Sequence, residues 1–225
     1  VKNKIYVYSI SSFLLTRTLE VVKNYFSNDK INNIRMIGVG PGASYSEMGK
    51  THYSFDDINY IYNLGNILIL NPGNHNELKF VFKKFKNSKK TIYYRINKNF
   101  IQQEFKLRKT GNLFIKKGNR ENIICSGNII NYLPQILGKK LFDSFNIISI
   151  PILDLQYCKN INKNLVRGKI FCITDATKPI FFYELKNLIN KRDLKILDLD
   201  VNKIKKVGSE IEILNQMGFK KIFFS

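Results

Sequence analysis

GVGPGASYSEMGKTHYSFDDI, residues 38–58, decides how this chain is read. It follows the apolar run INNIRMI and leads into the helical pattern DDINYIYNL, so a glycine-rich loop joins a strand to a helix. Its Gly49-Lys50-Thr51 ending invites a phosphate-binding interpretation. That loop type requires four residues between its first glycine and Gly-Lys-Ser/Thr, so that successive backbone N–H groups wrap the phosphates. Here six residues separate Gly42 from Gly49, with Tyr45, Glu47 and Met48 among them. The helical pattern also starts only near Ser54 or Phe55, with Ser54 as its expected N-cap and Asp56 and Asp57 in its first turn. A phosphate cradle is therefore excluded. What remains is Thr51-His52, one of only two histidines, at the C-terminal end of a strand. In open α/β sheets ligands bind at that edge, and an imidazole there can donate to a developing alkoxide or relay a proton.

Outward from the loop the pattern alternates. KIYVYSI, NNIRMIGVG, NILILNP, TIYYRI, NIICSG, IISIPILDL, KIFCITD and LKILDLD read as strands. TLEVVKNYF, DDINYIYNL, HNELKFVFKKFKN, NIINYLPQILGKKLFDSF (interrupted or started near Pro134) and PIFFYELKNLINK read as helices. In HNELKFVFKKFKN, Leu78, Val81, Phe82 and Phe85 share one face. Strands separated by helices imply mostly parallel sheets with right-handed crossovers. The expected fold class is α/β with two domains, residues 1–107 and 108–225, joined at a polar connector around Lys106 to Asn112.

Composition narrows the function classes. With 44% hydrophobic and 13% aromatic residues the chain can bury a core. No run approaches ~20 apolar residues, so no membrane span is expected. VKNKIYVYSISSFLL has the basic start and short apolar run of a secretory leader but no small-residue cleavage site, and its Tyr/Ser alternation suits a strand. Cys125, Cys158 and Cys172 are odd in number, lack CxxC spacing and have apolar neighbours, which fits buried thiols in a reducing, cytoplasmic setting and no metal site. The net charge of +20 comes from 37 basic and 17 acidic residues, and its lysine doublets, Lys83-Lys84 and Lys220-Lys221 among them, are strewn along the chain as an AT-rich genome would leave them. Without an RNP-like motif or Cys/His finger, this implies no specific nucleic acid; the charge suits anionic substrates.

Gly42, Tyr45, Gly49, Thr51, His52, Ser54, Asp57 and Ile58, followed by Asn66, Pro72, Asn76 and Glu77, form a spaced set that resembles the pyrimidine-binding domain of transketolase. YYRINK (93–98) is similar to that family's Y-I-R-L-x-R strand, and SISSFLLTRTLEVVKN places Phe13 and Arg17 in register with its F-x-x-F-x-x-x-R helix start. The match runs from about residue 5 to 98; NIICSG onward is similar to the family's C-terminal domain at the level of pattern. Ser54 with Asp56-Asp57 favours transketolase over deoxyxylulose-phosphate synthase, which resembles it in the T-H pair.

The resemblance implies transfer of a two-carbon ketol unit between sugar phosphates with thiamine diphosphate and Mg2+. It implies that Phe13 stacks on the cofactor's aminopyrimidine, that His52 contacts substrate oxygens at the reacting carbon, and that Lys98 stands where the family carries a phosphate-binding arginine. Lysine keeps that charge without the bidentate fork. His75 is expected to be structural or exposed. Against the family pattern, the GDG…N magnesium motif and the glutamate that protonates the aminopyrimidine are missing. Tyr62 replaces an Arg, Gly65 a Pro and Asn74 an Asp, and TDATKP (174–179) stands where Glu-His is common. The expectation is a carboxyl-side section or diverged relative, inactive alone, that shares its cofactor with an N-terminal-section subunit or another protomer. The alternatives are a catalytically incomplete assembly or regulatory domain and a deoxyxylulose-phosphate-synthase-like fragment.

Overall fold

A computed structural model describes residues 3–26, 32–98, 105–189 and 193–219. The Lys220-Lys221 doublet and the end of the helix read through Lys191 lie outside the described residues. The first unit runs β1 (Ile5–Ile10), α1 (Ser11–Thr16), a short α2 (Leu19–Val21) passing into a π turn, β2 (Ile34–Val39), α3 (Asp57–Leu64), β3 (Ile67–Leu70), α4 (His75–Phe85) and β4 (Thr91–Ile96). Its four strands pair in the order β1-β2-β4-β3, all parallel. The second unit contains β5 (Arg108–Thr110), β6 (Leu113–Lys116), β7 (Asn122–Ser126), α5 (Leu133–Leu137), α6 (Lys139–Ser144), β8 (Asn146–Ser149), β9 (Ile170–Thr174), α7 (Ile180–Leu188), β10 (Leu194–Ile196) and α8 (Glu210–Gln216). Its sheet order is β10-β9-β7-β8-β6-β5, with β7 to β10 parallel and β5 and β6 antiparallel at one edge. The fold is thus α/β with two mostly parallel sheets, as the alternation implies.

The parallel strands form where the sequence is continuously apolar. ILIL of β3 and IFCIT of β9 are buried at every position, as strands covered on both faces must be. α4 opens on Asn74, whose side chain accepts the Glu77 N–H at 3.0 Å, while the Glu77 carboxylate takes the Gly73 N–H at 2.7 Å. Its buried stripe is Glu77, Val81 and Phe85; Phe82 instead sits at the rim, stacked on Tyr94 with ring centroids 4.6 Å apart. Cys125, Cys158 and Cys172 are free and buried, and burial pushes the Cys158 thiol up to about 12.

Three expectations change. The connector around Lys106 to Asn112 is part of the β5–β6 hairpin, turned at Gly111 with φ +62°. Its exposed Arg-Lys-Thr strand carries no apolar signal. Ser54 does not cap a helix: its backbone pairs with Gly42, and α3 starts at Asp57. The helix read at 128–145 does start anew beside Pro134, as α5 after a 3₁₀ turn, but it also breaks at Gly138, φ +75°, before α6.

The C-terminal ends of the two sheets abut. Leu70 pairs antiparallel with Ile152, through Asn71 N–H to Pro151 O at 2.9 Å and Leu153 N–H to Ile69 O at 3.0 Å. One apolar cluster runs across the seam, joining Ile58, Ile69 and Tyr93 to Ile124, Ile148 and Phe181. Because they share this core, the two units are expected to unfold together. Urea titration followed by far-ultraviolet circular dichroism and tyrosine fluorescence should give one coincident transition. Ile69→Ala should lower its stability by ~2–5 kcal/mol, the usual cost of emptying such a site; two separate transitions would show the seam to be loose.

Candidate functional site

Three of the first sheet's strands deliver side chains to the same edge. Phe13 lies on α1, just beyond β1; the loop after β2 carries Tyr45 and His52; Lys98 follows β4. The His52 ring meets the edge of Phe13 at a centroid distance of 4.9 Å and Tyr45 at 6.1 Å. The Lys98 ammonium stands over Tyr45 at 4.8 Å, and the Arg17 guanidinium over Phe13 at 4.2 Å. Phe13 and His52 are half-buried and Lys98 is exposed. The three residues singled out from the sequence therefore converge on one patch, with cations at both ends and aromatic rings between. His75 is exposed at the start of α4.

The 38–58 loop is not a phosphate cradle. Gly42 N–H bonds Ser54 O at 2.8 Å and Ser54 N–H bonds Gly42 O at 2.9 Å, so the loop closes on itself like a short ladder. Two 3₁₀ turns, Ser46–Met48 and Lys50–His52, fill it, with Gly49 at φ +78° between them. Thr51 Oγ1 lies 3.0 Å from His52 Nδ1, and the Tyr53 hydroxyl donates to Ser46 O at 3.1 Å. Gly42 is required by close approach: a Cβ there would come within 2.6 Å of Asp175 Oδ2.

Beneath the loop lies a charged cluster that sequence reasoning missed. Arg95 of β4 is fully buried. Its Nε bonds Asp57 Oδ2 at 2.8 Å, its Nη1 bonds Asp175 Oδ1, and its Nη2 reaches Ser54 O at 3.1 Å and Asp175 O at 3.3 Å. The Tyr93 hydroxyl donates to Asp57 Oδ2 at 2.7 Å. Burial alone would lower the Arg95 pKa, but Asp175 and Asp57 together raise it, so the guanidinium stays charged. An arginine inside the apolar strand TIYYRI was the available signal; its carboxylate partners were not readable from spacing.

Two further acids have raised pKa values. Burial raises the Glu77 carboxyl from 4.5 to about 7, against the lowering effect of Gly73, Ser149 and Asn74. Burial likewise raises Glu210 to about 7, although Tyr132 donates to it at 2.7 Å and Asn128 at 3.2 Å. Several departures from the resembled pattern also find local reasons. Asn74 caps α4 as an aspartate would, Gly65 ends α3 at φ +83°, and the Tyr62 hydroxyl donates to Glu184 of α7. Among the described residues no three His, Cys, Asp or Glu side chains group as a metal site, and no helix is long and apolar enough to cross a membrane.

No protein-family model matches the chain. It is 25% identical over 188 residues to a subunit of the apulose-4-phosphate transketolase of Phocaeicola vulgatus, covering 78% of this chain and 58% of that protein. It is 33% identical over 85 residues to the protein of the same name from Actinobacillus succinogenes, covering 38% and 27%. The chain thus spans less than two thirds of the length of these relatives. Among solved structures, a split-gene transketolase described as an inactive beta4 tetramer superposes with a TM-score of 0.69 at 11% identity, covering 96% of this chain and 75% of that one. Transketolase of Campylobacter jejuni superposes with 0.70 at 14% identity, covering 97% and 35%. The chain is transketolase-like in sequence and has the fold of a transketolase carboxyl-side section.

Glu77 and Glu210 both make stability depend on pH in the same direction, and Glu77 is the fully buried one. Its folded pKa lies above its unfolded value, so its contribution is complete below about 4.5 and is lost as pH rises through about 7. At ~1.4 kcal/mol per unit, ionising it in place costs on the order of 3 kcal/mol. Glu77→Gln should therefore flatten the fall in urea midpoint between these pH values; an unaltered slope would mean that Glu77 is not buried as described.

Proposed function

We propose that this chain is one component of a transketolase-type transferase, moving a two-carbon ketol unit between sugar phosphates. The observation that carries this reading is the convergence of Phe13, His52 and Lys98, from three different connections, at the C-terminal edge of one parallel sheet. In this reading residues 1–107 are a partial pyrimidine-binding domain and 108–225 a C-terminal domain. A separate chain or protomer contributes the diphosphate and magnesium ligands and the missing acid. Relatives named as single subunits of a transketolase, and a neighbour described as a split-gene transketolase, support that division of labour.

Thiamine diphosphate would supply the electron sink for carbon–carbon cleavage. The half-buried ring of Phe13 is an apolar wall suited to an aminopyrimidine, but Arg17 now covers one of its faces. The guanidinium has to swing aside, or the opposite face has to be used. In the tautomer where the Thr51 hydroxyl, 3.0 Å from Nδ1, donates to that nitrogen, the His52 ring proton sits on Nε2, which is then the donor toward substrate oxygens. A donor aimed at developing negative charge stabilises the transition state more than the ground state. Lys98 acts at a distance, as a point charge for the substrate phosphate.

The test is steady-state ketol transfer by this chain reconstituted with a diphosphate-domain chain. His52→Ala should lower kcat/KM by ~10²-fold or more, the usual loss for one such donor, with the melting temperature held. Lys98→Ala should chiefly raise KM for phosphorylated sugars. Full turnover by a folded His52→Ala protein would remove the reading.

A further inference from the structure

The loop that carries His52 belongs to the first unit by sequence and to the second by packing. Ala43 and Phe55, near its two ends, are buried in the apolar cluster of the second sheet, with Ile173 and Leu197, rather than in the core of their own sheet. Asp175 lies against Gly42 and, through Arg95, reaches Ser54. Two residues on, Thr177 N–H bonds Phe55 O at 3.0 Å and the Thr177 hydroxyl donates to Asp56. Asn59 Nδ2 donates to Thr177 O at 2.6 Å, and Ile180 N–H bonds Asn59 Oδ1 at 3.2 Å. Between them Lys178 has φ +40°, a left-handed kink that costs a residue with a side chain, and its N–H is held by Asp198 at 2.7 Å.

We infer that residues 175–180 are a positioning clamp: the second unit sets the place of the His52 loop by bonding its end and packing against its start, with Asp175 and Thr177 as the positioning residues. The segment bonds the chain at Phe55, Asp56 and Asn59, where the loop passes into α3, reaches Ser54 through Arg95, and lies close against Gly42 where the loop begins. Neither residue touches the Phe13–His52–Lys98 patch, so their effect is transmitted through the backbone of the loop. Only the catalytic consequence rests on the function proposed above.

Amide hydrogen exchange on the whole chain tests the clamp without any turnover. Asp175→Asn keeps the shape and leaves Arg95 balanced by Asp57, so the fold should persist. Exchange over residues 42–54 should accelerate by ~10-fold or more while β9 and β2 keep their protection, because a local opening has become easier. Thr177→Val, which deletes the bond to Asp56 at constant shape, should act in the same direction and serves should Asp175→Asn fail to fold. In the reconstituted enzyme both variants should lower kcat, counted per folded chain and with the melting temperature held, and leave KM for the phosphorylated sugar unchanged. Unchanged loop exchange in folded variants, or acceleration equal in the loop and in β9, overturns the clamp. Accelerated loop exchange in a chain with no ketol transfer would keep the clamp and reject the function.

Discussion

One buried guanidinium organises this molecule. Arg95 binds a carboxylate from each unit, Asp57 at the start of α3 and Asp175 at the end of β9, and neither acid is accessible to water. Removing the guanidinium would cost ~3–5 kcal/mol, because both carboxylates would be left buried without a counter-ion, whereas losing one acid leaves Arg95 paired with the other. Both acids are therefore strongly held by the presence of the guanidinium. The two sheets, the start of α3 and the return of the 38–58 loop at Ser54 are all tied to it.

That arrangement explains both what the sequence revealed and what it concealed. The strands were legible because burial on two faces demands continuous apolar runs, as in ILIL and IFCIT. Arg108-Lys109-Thr110 was not, because an exposed edge strand has no apolar side to display. Ser54 has the chemistry of a helix cap, yet its backbone is committed to Gly42 and Arg95, and tertiary bonding overrode the local preference. His52 was legible as part of a spaced motif. The Arg95–Asp175 pair spans 80 residues, a separation at which no periodicity or local spacing operates.

The glycines of the loop have a reason other than anion binding. A Cβ at Gly40 would strike the Tyr45 ring at 2.1 Å, and one at Gly42 would strike Asp175. The first lets Tyr45 fold back toward His52, and the second lets a carboxylate from the other unit reach the backbone. Glycine-rich loops look alike in sequence whether the close neighbour is a phosphate, a ring or a protein acid. Spacing and the onset of the following helix separate these cases.

Beside the apolar cluster that crosses it, the seam between the sheets also carries buried polar groups, where apolar ones would serve stability at least as well. Beside the Arg95 cluster, Asn71 donates to Ser126 Oγ at 3.0 Å and Asn131 to Gly73 O at 2.8 Å. Gly73 lies so near Gly127 O that a Cβ would come within 2.4 Å. Apolar burial is non-directional, so alternative packings of similar volume keep most of its stability. Directional bonds between buried groups do not tolerate such repacking, because each one lost leaves a desolvated donor or acceptor. A seam built this way fixes how the C-terminal ends of the two sheets meet. The His52 loop is packed across that same seam, so the precision of the seam becomes the precision of the patch.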